Sequence, residues 1–592
     1  MSEMRKREKW FVAAKKADFR GIGERFGIDA VTARLIRNRD VIGDKAIGEY
    51  LYGGMDSFHP AQMLKGCQEA ALLLHQKIQE GKKIRIIGDY DIDGVNATYI
   101  LYRVISRCGG CVDFEIPDRM KDGYGLNLHL LELALEEQVD TVITCDNGIA
   151  ALDEIRFAKE RNMTVIVTDH HEPLFEEQDG VRRYCLPEAD VLVNPKQPGC
   201  PYPYKKLCGA VVAWKVGSVL YSLSDVPVRE AEELLPFAAF ATVGDVMDLD
   251  GENRAIVKEG LLRLHTCTNP GLRALIQVNG LDQNSISSYH IGFVLGPCIN
   301  ASGRLDTARR SMRLLLAEDE NEAKELAQQL KELNDERKQL TQKAVEEACR
   351  KIESGEGKED RVLVVYLPEC HESIAGIVAG RLRERYYRPT FVVTDGESSA
   401  KGSGRSTESY SMFEEMVKCQ DVFLKFGGHP MAAGFSLEKE RIDEMRRRLN
   451  ENCTLSEEDQ MEKVSIDVPM PIDYITEKLV AELSVLEPFG KGNEKPLFAE
   501  AGLLLLGARI LGKHANVLKL RVQNRAGCCM DALYFGEPEE VRSYLTEKYG
   551  RAAVEALFWG RAENLTLDVT YYPSVNEYMG RKSLQIVIKN YR

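Results

Sequence analysis

The sequence has no apolar run approaching the roughly 20 residues that cross a bilayer. Its first residues, Met1 to Trp10 (MSEMRKREKW), hold no apolar core of the kind a secretory signal carries. Both absences lead us to expect a soluble, cytoplasmic protein with no membrane partner. Cysteine is sparse, 15 in 592 residues and scattered along the chain, which excludes a disulfide framework and implies reduced thiols. One pair has metal-ligand spacing, Cys108 and Cys111, but with no second pair or nearby His couple it argues for neither zinc nor redox chemistry. Positive charge is also in deficit. Lys and Arg number 78 against 92 Asp and Glu, a net charge of −14, so the surface as a whole is no polyanion binder. That deficit leaves room for local basic grooves and for a carboxylate metal site, whose charge counts before its ions do. No internal repeat is present.

What is there resembles an ordinary globular chain. Hydrophobic residues make up 44% and charged residues 29%, which excludes long disorder, and the length suggests about four folding units. The first 80 residues carry apolar positions at helical spacing, in Ala30 to Leu51 and Ala61 to Ile78. The rhythm then changes. Short apolar strands at Ile84 to Ile87, Thr141 to Cys145 and Thr164 to Thr168 alternate with helical stretches, the pattern of parallel βαβ units. Asn321 to Glu353 contains neither Gly nor Pro, and Leu326, Leu330, Leu333, Leu340, Ala344 and Ala348 form a narrow stripe. This predicts one helix of roughly 50 Å leading from one lobe to the next. A second α/β segment begins near Arg361, with a strand at Val362 to Val365, a helix at Ile374 to Arg385 and a closing helix at Glu438 to Arg448; Glu451 to Lys463 is the linker. Beyond Val464, Val517 to Val522, Leu565 to Val569 and Leu584 to Ile588 alternate apolar and polar residues, as strands of a small antiparallel β-barrel do. The expected division is a helical N-terminal region 1–80, an α/β domain 81–315, a connecting helix 316–357, a second α/β domain 358–455 and a barrel 464–592.

Three polar clusters follow three of the buried strands. Asp89-Tyr90-Asp91-Ile92-Asp93-Gly94 puts carboxylates at alternate positions. An EF-hand loop would need an entering helix and a Glu at its twelfth position, where this chain has Ile100. Asp146-Asn147-Gly148 and Asp169-His170-His171 end the next strands, and Asp245 follows the apolar Phe237 to Val243, where it is as well placed to be an N-cap as a ligand. Open parallel sheets gather their ligands at the carboxyl ends of their strands, and so many acids in one place are tolerable only around cations. Carboxylates mixed with imidazole suit Mn²⁺ or Mg²⁺. Two such ions about 3.5–4 Å apart would serve hydrolysis of a phosphoester.

Together these residues resemble the four motifs of the DHH phosphoesterase superfamily. Pro117-Asp118-Arg119, Gly123-Tyr124-Gly125, Asn300-Ala301-Ser302-Gly303-Arg304-Leu305, Gly402-Ser403-Gly404-Arg405-Ser406, Gly427-Gly428-His429 and Glu487-Pro488-Phe489-Gly490-Lys491-Gly492-Asn493 extend the resemblance, over essentially the whole chain, to its single-strand-specific exonuclease branch, the RecJ family. The resemblance implies a two-lobed core of parallel sheets, a DHH domain and a DHHA1 domain joined by the long helix, with a C-terminal OB-fold barrel. It implies two Mn²⁺ or Mg²⁺ ions held by Asp89 or Asp91 with Asp93, the bridging Asp146, His170 and Asp245, with His171 contacting the phosphate or orienting the site; Asp93, Asp146, His170 and His171 are then the catalytic set. Arg119, Ser403 and Arg405 resemble a 5′-phosphate pocket, Tyr124 a base-stacking platform, Asn300 and Arg304 strand contacts, and His371 and His429 cleft residues. Cys298 stands where many relatives carry Arg, so one auxiliary phosphate contact is missing.

The glycines at 402, 404, 427 and 428 admit two readings, an anion cradle or plain turns. In the barrel, Lys513, His514, Lys519, Arg521 and Arg525 cluster around one hairpin, either a solvated face or a basic groove for a strand. The activity implied is 5′→3′ exonucleolytic hydrolysis of single-stranded DNA to 5′-mononucleotides, in DNA repair and recombination. By analogy a helicase and a single-strand binding protein are partners of a monomeric enzyme. The rivals are a small-substrate phosphodiesterase of the same superfamily, whose usual chains lack the barrel, and a non-enzymatic replication scaffold, whose acidic set would be degenerate.

Overall fold

The computed structural model describes residues 7–119, 122–123, 125–178, 181–355, 357–512, 515–561, 564–578 and 580–592. The chain divides into two compact units, one of residues 1–8 and 58–462, the other of 9–57 and 463–592.

In the first unit a five-stranded sheet runs in the order Cys111–Glu115, Lys83–Ile87, Thr141–Cys145, Thr164–Thr168, Val191–Val193, every pair parallel. Ile84, Ile86, Val142, Ile143, Val165, Ile166 and Val167 are all fully buried, so these strands are covered on both faces and show continuous apolarity in place of alternation. The second strand in the chain lies on one side of the first and the third lies on the other. The sheet therefore reverses its winding between Lys83–Ile87 and Thr141–Cys145, the switch point at which such sheets open a crevice beyond their carboxyl ends.

The long helix spans Glu320–Glu353, and Asp319 caps it by accepting the amides of Asn321 and Glu322 at 2.9 Å. Its buried line departs from the expected stripe. Asn334 and Thr341 are buried and Leu340 is exposed, because the line drifts by a residue across the middle of the helix. The polar intruder is satisfied: Arg337 donates to Asn334 Oδ1 at 2.9 and 3.1 Å. The second lobe carries Phe423–His429, Ala432–Leu437, Ala400–Arg405, Thr390–Asp395 and Leu363–Tyr366 in spatial order. Only Thr390–Asp395 and Leu363–Tyr366 pair in parallel, so this sheet is mixed where parallel strands were expected. Short hairpins link its later strands, and a tight turn can only reverse direction.

The second unit is the barrel. Phe498–Leu511, Val517–Gln523, Cys529–Tyr534, Arg581–Tyr591 and Thr566–Tyr578 pair in that order, and the last pairs back to the first, which closes the ring. Its core also takes in Leu35, Ile36, Ile47 and Leu51 from the helices Ala30–Asn38 and Asp44–Tyr52. The first 80 residues thus do not form a body of their own: 9–57 belong with the barrel, while the helix Cys67–Gln79 lies in the first unit. Helical periodicity shows that a face is buried and says nothing about which core buries it. All 15 cysteines are free thiols, and among the described residues no helix is long and apolar enough to cross a membrane.

Candidate metal centre and phosphate-binding cleft

Residue pairing across the sheet sets the site. Ile87 is level with Thr144, and Cys145 with Thr168, so the loops that begin at Gly88, Asp146 and Asp169 leave the sheet side by side. Asp91 caps the helix Ile92–Arg107, its Oδ1 accepting the amides of Asp93 (2.9 Å) and Gly94 (3.0 Å). Gly94 is required there, since a Cβ would fall 2.4 Å from the Asp89 carbonyl oxygen. Asp93, two residues after Asp91, turns inward, where its two oxygens accept the amides of Gly209 and Ala210, both at 2.7 Å. These are the first amides of the helix Gly209–Leu223, a helix end suited to an anion. Asp146 takes a left-handed backbone, φ 63°, a conformation Asp tolerates better than most residues.

Around these acids the imidazoles converge. His170 Nε2 lies 3.0 Å from Asp146 Oδ1, 3.6 Å from Asp93 Oδ2 and 3.9 Å from Asp245 Oδ2. His171 Nδ1 is 2.8 Å from Asp169 Oδ1 and 4.0 Å from Asp146 Oδ1. Three groups of potential ligand atoms result, each within 4.8 Å: Asp146, His170 and His171; Asp93, His170 and Asp245; Asp89, Asp91 and Asp146. Asp245 turns out to follow a helix, Leu235–Gly244, and occupies its C-terminal end. The N-cap reading is therefore out, and a carboxylate at that end of a helix is unfavourable unless a cation compensates.

The electrostatics point the same way. Burial raises the pKa of Asp89 well above the usual range, with Asp91 adding to it; burial does the same to Asp146, reinforced by Asp93, Asp91, Asp89 and Asp245. Burial also raises Asp91, with help from Asp93. His170 is lowered by burial and is a neutral imidazole, the form that ligates. Burial opposes charge on His171, but the hydrogen bond and charge of Asp169 outweigh it and raise that ring to about 9. Asp89 Oδ1 and His170 Nδ1 are buried with no hydrogen-bond partner among the described residues. Carboxylates whose charge is suppressed by burial and by one another, with the His170 Nε2 among them, fit hard divalent cations of the Mn²⁺ or Mg²⁺ kind.

Sequence reasoning assigned no role to two residues that hold this arrangement. Asp169 is buried and accepts the amides of Ile149 (2.9 Å), His170 (2.7 Å) and His171 (3.1 Å) besides the His171 ring, so it fixes that ring and the backbone of both histidines. Gly209 lets its helix approach, for a Cβ there would lie 2.7 Å from Asp146 Cβ. Asp169 stood in the DHH triplet itself; nothing in the sequence marked Gly209.

Across the cleft between the two lobes of this unit lies a cavity of about 150 Å³, lined by Arg119 from the first lobe and by Glu372, Ser373, Lys401 and Ser403 from the second. Arg304 donates to the Ser373 carbonyl at 2.7 Å, and burial together with Arg119, Arg337 and Arg405 lowers its pKa to about 10. Arg405 is lowered too, by burial, Arg119 and Arg383. Arg119 stacks over Tyr90 with its Cζ 5.1 Å from the ring centre. Guanidinium groups crowded until they depress one another require an anion. Packing requires Gly402 and Gly404, since their Cβ atoms would strike the Phe435 ring and Met412 Sδ at 2.2 and 2.5 Å, and Gly402 also lines the cavity.

Other expected contacts are engaged locally. Asn300 Oδ1 accepts the Ile92 amide at 2.8 Å and so anchors the helix of the acidic loop. His371 caps its own helix, its Nδ1 accepting the Ser373 amide at 3.3 Å, and exposed His429 accepts the Met431 amide at 3.3 Å. Lys519 and Arg521 both pair with Asp531, at 2.8 and 2.9 Å, so part of the basic hairpin's charge is balanced within the barrel. Tyr124 and Lys513 lie outside the described residues.

Three family models match the chain in order: the DHH family N-terminal domain over 83–242, the DHHA1 domain over 359–454 and the RecJ OB domain over 466–590. The single-stranded-DNA-specific exonuclease RecJ of Bacillus subtilis (strain 168) is 35% identical over 96% of this chain and 69% of its own length. Its namesake from Escherichia coli (strain K12) is 32% identical over 90% of this chain and 91% of its own. The chain belongs to the RecJ family. Among solved structures, RecJ from Thermus thermophilus in complex with Mn²⁺ matches with a TM-score of 0.81 and 29% identity, covering 99% of this chain and 80% of that one. The Mg²⁺ complex from the same organism matches with a TM-score of 0.75 and 27% identity, over 99% and 78%. The RecJ-family assignment accounts for the DHH and DHHA1 lobes, the OB barrel and the acidic centre together.

Proposed function

We propose that this RecJ-family protein is a metal-dependent exonuclease that degrades single-stranded DNA in the 5′→3′ direction to 5′-mononucleotides, in DNA repair and recombination. The observation that carries this reading is the meeting, within one unit, of an acidic centre at the sheet's switch point and a cavity between the lobes lined by Arg119, Lys401 and Ser403. Asp89, Asp91, Asp93, Asp146, His170 and Asp245 would hold two Mn²⁺ or Mg²⁺ ions, which supply Lewis-acid stabilisation of the phosphate and a water of lowered pKa.

The protein's own groups do the rest. Asp146, which belongs to two of the three ligand groups, would be the carboxylate shared by the ions. Asp169 keeps His171 protonated, so that its ring can donate to a phosphate oxygen near the bridge. Arg119, Ser403 and Arg405 take the terminal 5′-phosphate, whose extra charge over an internal phosphate favours a guanidinium pair. Arg304 then holds the next stretch of backbone, and the OB barrel binds strand further along. By the same family analogy the enzyme acts as a cytoplasmic monomer on strands opened by a helicase and coated by a single-strand binding protein. Digestion of end-labelled single and double strands with Mn²⁺ or Mg²⁺, with and without a 5′-phosphate, tests the reading. Release of labelled mononucleotides from the 5′ ends of single strands, faster with a 5′-phosphate than without, is expected; release from 3′ ends, or equal attack on duplex, overturns it.

A further inference from the structure

One helical stretch passes every part of the site in turn. It comprises Ser288–His290, a π-helical turn Ile291–Leu295, and Gly296–Leu305. π-turns inside helices are rare and concentrate where function needs a residue re-aimed. From its outer end inward, Gly292 lies against Val243 of the helix that ends in Asp245, and Gly296 against Ile92 of the acidic loop's helix. Asn300 then holds the Ile92 amide, Gly303 abuts the Tyr90 carbonyl, and Arg304 enters the arginine cluster.

At the outer end stand Tyr289 and Phe293, four residues apart with their rings stacked, centroids 5.0 Å apart and planes 29° apart. They are 62% and 70% exposed. Positions 289, 293, 300 and 304 fall near one face of the stretch at about 100° per residue, less through the π-turn. Two large aromatic faces in water, in line with the phosphate contact Arg304 and beside the helix of Asp245, are suited to a nucleobase, since every base offers a π-face.

We propose that Tyr289 and Phe293 form a stacking platform for bases of the single strand that lie beyond the scissile phosphate. This rests on the exonuclease reading above and adds to it a second hold on the strand within the catalytic unit, separate from the OB barrel. From Arg304 the helix rises about 16 Å to Phe293 and about 22 Å to Tyr289. The platform therefore lies several nucleotides along the strand from the phosphate that Arg304 contacts.

The test uses the full chain and 5′-phosphorylated oligonucleotides that carry 2-aminopurine at successive positions from the 5′ end, bound in EDTA so that cleavage plays no part. Quenching should peak within the positions the platform reaches and disappear in the Tyr289→Ala, Phe293→Ala double variant, while Phe293→Trp keeps it. With Mn²⁺, the double variant's KM for a 20-nucleotide strand should rise about tenfold, the scale of one lost stack. For a dinucleotide the rise should be several times smaller. An abasic nucleotide at the quenched position should raise the KM of the parent protein but not that of the double variant. Unchanged quenching, or an equal KM change on both substrates, overturns the platform. Failure of the parent protein to degrade single strands at all overturns the exonuclease reading instead, which the quenching in EDTA does not depend on.

Discussion

Asp146 combines a left-handed backbone, burial and the company of four other carboxylates, each unfavourable by itself, a combination that the proposed role as shared ligand of a cation pair would explain. Asp146→Ala should abolish cleavage, by 1000-fold or more, and leave strand affinity in EDTA within a few fold; near-normal turnover in Mn²⁺ would remove the bridging role. Val246, the residue after Asp245, also has a left-handed backbone, φ 56°, at the end of the helix Leu235–Gly244, where glycine is the usual occupant. A β-branched side chain there is strained by about 1–2 kcal/mol. Val246→Gly should therefore raise stability by about 0.5–1 kcal/mol in denaturant titration and increase the Mn²⁺ concentration needed for half-maximal activity, because Asp245 is then less firmly placed. Lower stability in the variant would mean that the side chain's packing outweighs the strain.

At the scale of elements, the site is assembled by helix ends brought against loop carboxylates. The helix Gly209–Leu223 gives Asp93 its two amides only because nothing projects from position 209. Gly209→Ala should push the helix and Asp146 apart, costing about 1–3 kcal/mol of stability and more than tenfold in kcat. Activity unchanged in Gly209→Ala would show that the neighbouring loop yields freely. In the second lobe, Arg405 is placed by a strand, and burial together with other guanidinium groups lowers its pKa. Arg405→Ala should cost roughly 1–3 kcal/mol on a 5′-phosphorylated strand and far less on a 5′-hydroxyl strand, so that the two kcat/KM values approach each other. A preserved preference for phosphorylated ends would place the pocket elsewhere.

For the whole molecule, repulsion among the carboxylates makes the folded state a better ligand for divalent cations than the unfolded chain. Mn²⁺ should raise the thermal midpoint, by the equivalent of about 2.7 kcal/mol at a hundredfold excess over Kd, and Asp146→Ala should shrink that shift. The two-unit division governs how the barrel may be removed. Cutting the chain after 462 exposes Leu35, Ile36, Ile47 and Leu51, whose core is the barrel's, so residues 1–462 should aggregate while 58–462 stay soluble. Equal solubility of the two fragments by size-exclusion chromatography would show that 9–57 can bury these side chains without the barrel.

How much of this was legible in the sequence follows from range. Buried parallel strands, the helix 320–353 and the half-buried barrel strands repeat over a few residues, so periodicity announced them, and each acidic cluster followed its strand in the sequence as it does in space. That Asp169 fixes the His171 ring and the backbone of both histidines, that Gly209 and Asn300 brace the acidic loop from over 100 residues away, that Thr341 takes the place of Leu340 on the long helix's buried line, and that 9–57 share the barrel's core are contacts that only the folded chain displays. Short-range patterns of hydrophobicity and charge decide which elements form and which residue types can do chemistry. Which of those residues meet is decided by strand order and core packing, and those depend on the whole chain at once.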